Sequence, residues 1–326
     1  HTPDIAGLTA IRGGHADAWC YGEILSYKQG GTTESCLRHA VADWETDHLD
    51  APRLNGRFAL ILHDRISGEW HIITDRIGAM HLYRVGDNER TFQIGSDLAS
   101  LSSRRELDWF GISSFFAFGF FVADRTYYTD TKILLPHTIY RYSETGQQLE
   151  QKSYWDWHHA VDARLQYSDA VAEYDRLLRQ AVTRATAHGR SILPLSGGLD
   201  SRSIAAVIAS GTQTYSYGYT ATSIETRIAQ SVAKARAMPF TSHVIQPYLF
   251  ERLAEIVRAL HGCQDVTQAR QCSVNEWVHE RADAVLTGLW GDVWCDQMGV
   301  ADGLPEGTTL INHVLKKFNK RGCAWL

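Results

Sequence analysis

Short apolar runs and turn residues alternate along the first half of the chain, up to about residue 147. Segments at 57–63, 69–74, 81–85 and 91–95 are rich in apolar and β-branched residues, and glycine, serine, aspartate or asparagine separates them. Runs of this length between turn formers are typical of strands joined by hairpins. The pattern predicts antiparallel β layers in this half of the chain.

The spacing of apolar positions changes after residue 165, where they begin to recur with helical periodicity. The first such segment, 169–187, predicts a helix that starts at Ser168 and stops at Gly189. Beyond it we predict strands at 191–195, 214–219 and 242–246, and helices at 201–210 and 228–238. Such alternation indicates a parallel sheet with helices on both faces, which binds ligands at the carboxyl ends of its strands.

This change in the periodicity of apolar positions predicts two domains. The 326 residues are too many for one average domain and fit two. We expect an N-terminal domain over residues 1–147, a polar and aromatic linker over 148–166 and a C-terminal domain over 167–326. The expected fold class is therefore mixed, with α+β character in the first domain and a doubly wound α/β sheet in the second.

Composition and charge exclude several classes of protein. With 44% hydrophobic and 21% charged residues the chain is an ordinary globular protein, and its net charge of -5 argues against a dedicated nucleic-acid binder. The longest apolar stretch, 111–123, is shorter than the roughly 20 residues of a membrane-spanning helix. The six cysteines show neither a CxxC pair nor zinc-ligand spacing, so we expect buried free thiols and a cytoplasmic protein.

The most specific motif is a six-residue string between a predicted strand and a predicted helix. It consists of Ser196, Gly197, Gly198, Leu199, Asp200 and Ser201. Adjacent glycines let the backbone approach an anion closely, and successive N–H groups, hydroxyls and a helix N-terminus attract it. The alternative, a plain strand-to-helix turn, is disfavoured by the complete string and its flanking elements. A carboxylate at position 200 would repel a bare phosphate, so the string predicts Mg²⁺ as well as phosphate.

The string resembles the pyrophosphatase-type loop of the asparagine synthetase family, whose members split ATP to AMP and pyrophosphate while activating a carboxylate. Residues 54–59 (LNGRFA) and 75–78 (DRIG) are similar to the family's amidotransferase-type domain, and 132–137 (KILLPH) and 154–156 (YWD) to its connection into the synthetase domain. The resemblance covers nearly the whole chain. It implies Ntn-amidotransferase-like antiparallel β layers followed by a doubly wound parallel sheet of the PP-loop type.

The same resemblance implies further site residues. Asp292, in a later loop, would face Asp200 with Mg²⁺ and pyrophosphate between them, so that both carboxylates are catalytic and metal-binding; a helix cap is the alternative for Asp292. Gly288 belongs to that loop, and Tyr219 falls on the nucleotide side. Glu225 falls there too, although an exposed glutamate at a helix start is an equal alternative. The implied cofactors are ATP and Mg²⁺.

The sequence also departs from the family. Leu289 stands where a glutamate usually accepts the proton of the attacking amine, and a later lysine of the family would lie beyond Leu326, as though the synthetase domain were incomplete at its C-terminus. The chain opens with His1 where glutamine-hydrolysing members have a catalytic cysteine, and Tyr21 replaces the asparagine of their oxyanion site. We therefore expect no glutamine hydrolysis.

Together these features predict an ATP-dependent amide ligase that forms AMP and pyrophosphate. Its partners would be a small-molecule or peptide carboxylate and an amine, either ammonia or an amine on the substrate, with no nucleic acid and no membrane; the oligomeric state is left open. One alternative is an intramolecular cyclase of the same family, forming a β-lactam or lasso peptide, because an intramolecular amine needs a weaker base. The other is a non-catalytic nucleotide-binding or scaffold relative, which the intact string opposes.

Overall fold

The computed structural model describes residues 7–86, 93–101, 106–156, 162, 164–187, 189–220, 222–288 and 312. The chain divides into two units, and the division falls between His159 and Ala160, inside the predicted linker. The N-terminal unit has two sheets and the C-terminal unit one, and each unit has its own core. An antiparallel half followed by a parallel half is confirmed.

Antiparallel strands build the N-terminal unit. They are β1 (Leu8–Arg12), β2 (Ala16–Ser26), β3 (Asn55–Asp64), β4 (Trp70–Thr74), β5 (Tyr83–Val85), β6 (Gln93–Gly95), β7 (Thr131–Ile133), β8 (Thr138–Tyr142) and β9 (Gln148–Ser153). One sheet has the order β1-β2-β3-β4-β8-β9 and a smaller one the order β6-β5-β7. The predicted strands at 57–63, 69–74 and 81–85 correspond to β3, β4 and β5, and β6 lies in the segment predicted at 91–95.

Alternating burial along the strands forms the core of this unit. Strand β2 buries every second residue from Ala16 to Cys20. Helix α1 (Thr33–Trp44) packs on that core with its apolar side. It starts at a capping box, in which the Thr32 side chain accepts a hydrogen bond from the Ser35 N–H and the Ser35 side chain accepts one from the Thr32 N–H.

Among the described cysteines, Cys20, Cys36 and Cys272 form no disulfide. Cys20 and Cys36 are buried, which confirms the prediction for these two, whereas Cys263 and Cys272 are only partly buried. Burial raises the pKa of the Cys20 thiol to about 12. Cys20 is therefore a protonated, unreactive thiol near neutral pH.

The start of the predicted linker belongs to the N-terminal sheet. Residues 148–153 form the edge strand β9, which pairs antiparallel with β8. Every residue of β9 is exposed. An edge strand with solvent on both faces needs no apolar alternation, so its polar composition resembles that of a loop. The structure corrects the linker interpretation for these residues.

A buried carboxylate holds the turn that follows β4. Asp75 is 1% exposed. Its two oxygens accept hydrogen bonds of 2.9 to 3.4 Å from the backbone N–H groups of Phe58, Ile77, Ala79 and Met80. The carboxylate thus satisfies backbone donors that no strand partner reaches, and ties β3 to the turn before β5.

The apolar run at 111–123 includes most of helix α2 (Trp109–Phe118). The helix starts at Asp108, whose Oδ1 accepts a hydrogen bond of 2.9 Å from the Gly111 N–H, and ends at Gly119 in the left-handed conformation. Among the described residues, no helix combines the length and apolar character needed to cross a bilayer.

Parallel strands alternate with helices in the second unit. The strands are β10 (Ser191–Pro194), β11 (Gln213–Gly218), β12 (Phe240–Val244) and β13 (Ala284–Val285), and the helices are α3 (Tyr167–Ala185), α4 (Leu199–Val207), α5 (Ile224–Ala235), α6 (Leu253–Ala259) and α7 (Asn275–His279). All six elements predicted between residues 169 and 246 are confirmed, with their ends shifted by a few residues.

The order of these strands determines where a ligand can bind. The sheet has the order β12-β11-β10-β13 and every pair is parallel. Residues of α3, α4 and α5 pack on one face, and Val274 and Val278 pack with Tyr215 on the other, as predicted for helices on both faces. Successive strands run outward from β10 to β12, and the chain then returns to place β13 on the opposite side of β10. Sheets of this kind bind ligands at the carboxyl ends of the strands beside such a reversal.

Candidate functional site

The loop after β10 enters helix α4 at the reversal of strand order. Ser196 Oγ lies 3.0 Å from Ser201 Oγ and accepts a hydrogen bond of 3.1 Å from the Gly198 N–H. Ser201 Oγ in turn accepts a hydrogen bond of 3.1 Å from the Ser196 N–H. Among the described residues no side chain caps α4 at Gly198, so the N–H groups of its first turn are available to a ligand.

Asp200 lies in that first turn and is partly buried. In the described parts of the chain its carboxylate forms no hydrogen bond or ion pair. Carboxylate oxygens are ligands that Mg²⁺ prefers, so an unpaired carboxylate beside a helix start without a side-chain cap could serve as a metal ligand. No three His, Cys, Asp or Glu side chains converge as a metal site within the described ranges. The predicted partner Asp292 and Leu289 lie outside those ranges.

Gly288, which follows β13, lies against the start of α4. A Cβ atom added to Gly288 would lie 2.7 Å from the Ser201 nitrogen and 2.8 Å from both the carbonyl carbon and the Cβ of Asp200. Backbone atoms cannot move aside as the end of a flexible side chain can. Only glycine therefore allows the two loops to approach this closely.

Alanine at Gly288 and at Gly197 should have different effects. Gly288→Ala must push two backbone segments apart, at a cost of about 1 to 3 kcal/mol in the free energy of unfolding. A Cβ at Gly197 would meet Ile228 Cδ1 at 3.4 Å and the Glu225 Cα at 3.5 Å, which are ordinary contacts. Gly197→Ala should therefore change stability by less than about 0.5 kcal/mol and hinder only an anion that approaches the loop.

Urea unfolding and nucleotide titration of the two alanine variants measure this difference. The expected pair of results is a destabilised Gly288→Ala protein and a stable Gly197→Ala protein with weakened Mg-ATP binding. Equal stability losses, or full nucleotide affinity in the Gly197 variant, would contradict the close approach of the two loops or the role of Gly197.

A cavity of about 350 Å³ opens beside this loop at the carboxyl ends of β10, β11 and β12. The loop, the end of β11, the first turn of α5 and a short 3₁₀ turn (Arg270–Ser273) contribute to its walls. Its polar lining includes Ser196, Tyr217, Tyr219, Ser223, Glu225 and Arg270. The size suits one half of a nucleotide or a small acid rather than a macromolecule.

Two charged side chains of opposite sign line the cavity. Burial raises the pKa of the Tyr217 hydroxyl, the charge of Arg270 opposes this rise and the charge of Glu225 adds to it. Both charges thus lie within electrostatic range of one hydroxyl. In the described parts of the chain, neither Arg270 nor Glu225 forms an ion pair or a side-chain hydrogen bond. The cavity therefore offers a free cation, a free anion and a protonated phenol.

Two family models match the chain. The model described as a glutamine amidotransferase domain matches residues 23–155, and the model described as asparagine synthase matches residues 173–293. They follow one another in the order of the asparagine synthetase family. The chain belongs to the asparagine synthetase family.

No curated protein matches the chain. Among solved structures, it is similar to the glutamine phosphoribosylpyrophosphate (PRPP) amidotransferase from B. subtilis complexed with ADP and GMP. That similarity has 11% sequence identity and a TM-score of 0.27, and covers 76% of this chain and 52% of the other. The chain spans about half the length of that protein, and a similarity of this size supports no conclusion about fold or function.

The asparagine synthase match includes every site residue predicted from the sequence. The structure places Ser196 and Tyr219 in the wall of the cavity, and Gly288 against Asp200 and Ser201. Gly197 and Gly198 lie in the loop between β10 and α4. Leu199 is 72% exposed and does not line the cavity.

Arg270 and Tyr217 are cavity residues that the sequence analysis of this asparagine synthetase relative missed. Tyr215, Tyr217 and Tyr219 occupy every second position along and just after β11, and this spacing could have identified Tyr217 as a neighbour of Tyr219 on one face. Arg270 comes from a short 3₁₀ turn far from the loop in sequence. No local pattern marks it.

Proposed function

We propose that this protein is an ATP-dependent amide ligase that adenylates a carboxylate and releases pyrophosphate. One observation carries the proposal: an uncapped helix start with an unpaired Asp200 carboxylate, enclosed by Gly288 at the reversal of strand order. The proposal includes a PP-loop type of sheet and a synthetase domain that begins near residue 167.

The loop residues would bind the phosphates. N–H groups of the first turn of α4 donate to phosphate oxygens, and the helix dipole adds positive potential there. Ser196 and Ser201 already orient each other's hydroxyls at 3.0 Å, so little order is lost when a ligand arrives. Donors fixed in this way stabilise charge that develops on the leaving pyrophosphate.

Asp200, with Asp292 as its proposed partner, would hold Mg²⁺. The fit rests on the donor set, because the Asp200 carboxylate has no protein partner in the described residues and lies where phosphate oxygens would supply the remaining ligands. The bound cation would neutralise phosphate charge as the bond to the α-phosphorus breaks. Without it, Asp200 would oppose phosphate binding.

The cavity would hold the rest of the nucleotide and bring the acid beside it. Tyr219, which is 66% exposed at the cavity, offers a ring on which a base can stack. Arg270 is the cation among the described lining residues, and its guanidinium would pair with an anionic group of the ligands. Arg270 and Tyr217 both line the cavity, so its wall would offer the ligands a guanidinium and a phenol hydroxyl as donors.

We further propose that the amine comes from ammonia or from the substrate and not from glutamine hydrolysed in the N-terminal unit. Cys20 is fully buried, with a pKa of about 12, and so cannot serve as a nucleophile at neutral pH. Tyr21, beside it in β2, cannot offer the amide donor of an oxyanion site. The N-terminal unit would then act as a scaffold.

Titration with Mg-ATP, followed by exchange of labelled pyrophosphate into ATP, tests the proposal. Candidate acids are free amino acids, dicarboxylates and short peptides. We expect saturable Mg-ATP binding, exchange only with the correct acid, and AMP as the nucleotide product. Absence of Mg-ATP binding, or release of ADP and phosphate in place of AMP and pyrophosphate, would overturn it.

A further inference from the structure

The carboxylate of Glu225 projects from the first turn of α5 and is exposed at the cavity. The backbone there lies next to the phosphate loop, since a Cβ at Gly197 would be 3.5 Å from the Glu225 Cα. A group joined directly to a phosphate on this loop would therefore come within reach of the Glu225 side chain.

The fold itself does not require a carboxylate at this position. The start of α5 is already capped by Ser223, whose Oγ accepts a hydrogen bond from the Thr226 N–H and donates one of 2.7 Å to Thr226 Oγ1. Glu225 forms no ion pair with Arg270 or with any other cation among the described residues. Its favourable interaction with the helix dipole is small at an exposed position and is screened by salt.

A carboxylate beside a phosphate-binding loop weakens anion binding unless the ligand also carries groups that interact favourably with that carboxylate. Like charges repel, so Glu225 must accept hydrogen bonds from neutral donors or contact a cation. In a nucleoside triphosphate, the group next to the α-phosphate is the ribose, and its adjacent hydroxyls are neutral donors. In dinucleotide-binding sites a carboxylate accepts a hydrogen bond from the ribose 2′-hydroxyl.

We propose that Glu225 accepts hydrogen bonds from the 2′- and 3′-hydroxyls of the ribose and so makes the site selective for ribonucleotides over deoxyribonucleotides. This inference rests on the proposed function, because it needs the triphosphate on the loop. It assigns recognition of the sugar to Glu225. In the proposed function, Arg270 pairs with an anionic group of the ligands and the base stacks on Tyr219.

Binding of ATP, 2′-deoxy-ATP and 2′,3′-dideoxy-ATP, each with Mg²⁺, tests the inference by calorimetry. The variants are Glu225→Ala and Glu225→Gln, and alanine at this exposed helix position should leave the fold intact. The exposed Glu251, which has no hydrogen bond or ion pair in the described parts of the chain, provides the control variant Glu251→Ala.

For the unsubstituted protein we expect ATP to bind about 10-fold or more tightly than the dideoxy compound, since charge-assisted hydrogen bonds are roughly twice as strong as neutral ones. Glu225→Ala should remove that preference, and Glu225→Gln, which keeps one acceptor oxygen, should retain part of it. Both variants should bind the dideoxy compound at least as well as the unsubstituted protein does.

Three results would overturn the inference. If Glu225→Ala weakens all three nucleotides equally, Glu225 acts through the metal or the fold. If it changes none of them, Glu225 is only an exposed helix residue, and if the unsubstituted protein does not distinguish the sugars, nothing recognises them. Failure of the proposed function is distinguishable, because the unsubstituted protein would then bind no nucleotide, or would bind ATP but release ADP and phosphate in place of AMP and pyrophosphate.

Discussion

Asp200→Asn is expected to lower pyrophosphate exchange about 10²- to 10³-fold while the free energy of unfolding changes little. The carboxylate has no partner among the described residues, so its replacement breaks no bond that holds the fold. Asparagine keeps the shape but not the negative charge that Mg²⁺ needs. Exchange measured over a range of Mg²⁺ concentrations, with urea unfolding in parallel, separates loss of the metal from loss of the structure.

Glu251→Gln is the matched control for this change. It removes one negative charge from the same unit at an exposed side chain outside the cavity, and should leave both exchange and stability unchanged. Mg-ATP binding that is identical in the unsubstituted protein and in the Asp200→Asn and Asp292→Asn variants would favour a non-catalytic nucleotide-binding protein. Loss of exchange in the control would indicate an effect of net charge alone.

The parallel sheet could be predicted because its segments carry strong local signals. Strands such as β10 are short and apolar since both faces are covered, and each helix has an apolar side with turn residues at its ends. The loop between β10 and α4 was predictable for the same reason. A glycine pair between a buried strand and a helix can be recognised without knowledge of any distant contact.

Features that depend on partners distant in sequence could not be predicted in this way. The polar residues of β9 become a strand only because β8 offers an unpaired edge. Arg270 reaches the cavity through a turn whose place is set by packing around Tyr215 and Val274. The family resemblance places Gly288 in a loop. The reason that this position must be glycine is the close approach of α4, and no local sequence pattern reveals that contact.

A second large effect is expected at Asp75, far in sequence from the cavity. Asp75→Ala should lower the free energy of unfolding of the N-terminal unit by about 3 to 5 kcal/mol, in the range found when one partner of a buried charged network is removed. The loss leaves the buried Phe58 N–H and the turn N–H groups of Ile77, Ala79 and Met80 without their acceptor. Urea unfolding of the full chain, followed by circular dichroism, measures it.

Asp50→Ala provides the contrast within the same unit, because Asp50 is a half-exposed partner of Arg53 at 3.0 Å. Surface ion pairs of this kind contribute about 1 kcal/mol or less. Asp75→Asn should fall between the two variants, since the amide oxygen still accepts but the amide N–H₂ faces backbone donors. If Asp75→Ala proved no more harmful than Asp50→Ala, water would have to satisfy the four N–H groups, and the carboxylate would not be what holds β3 to the turn.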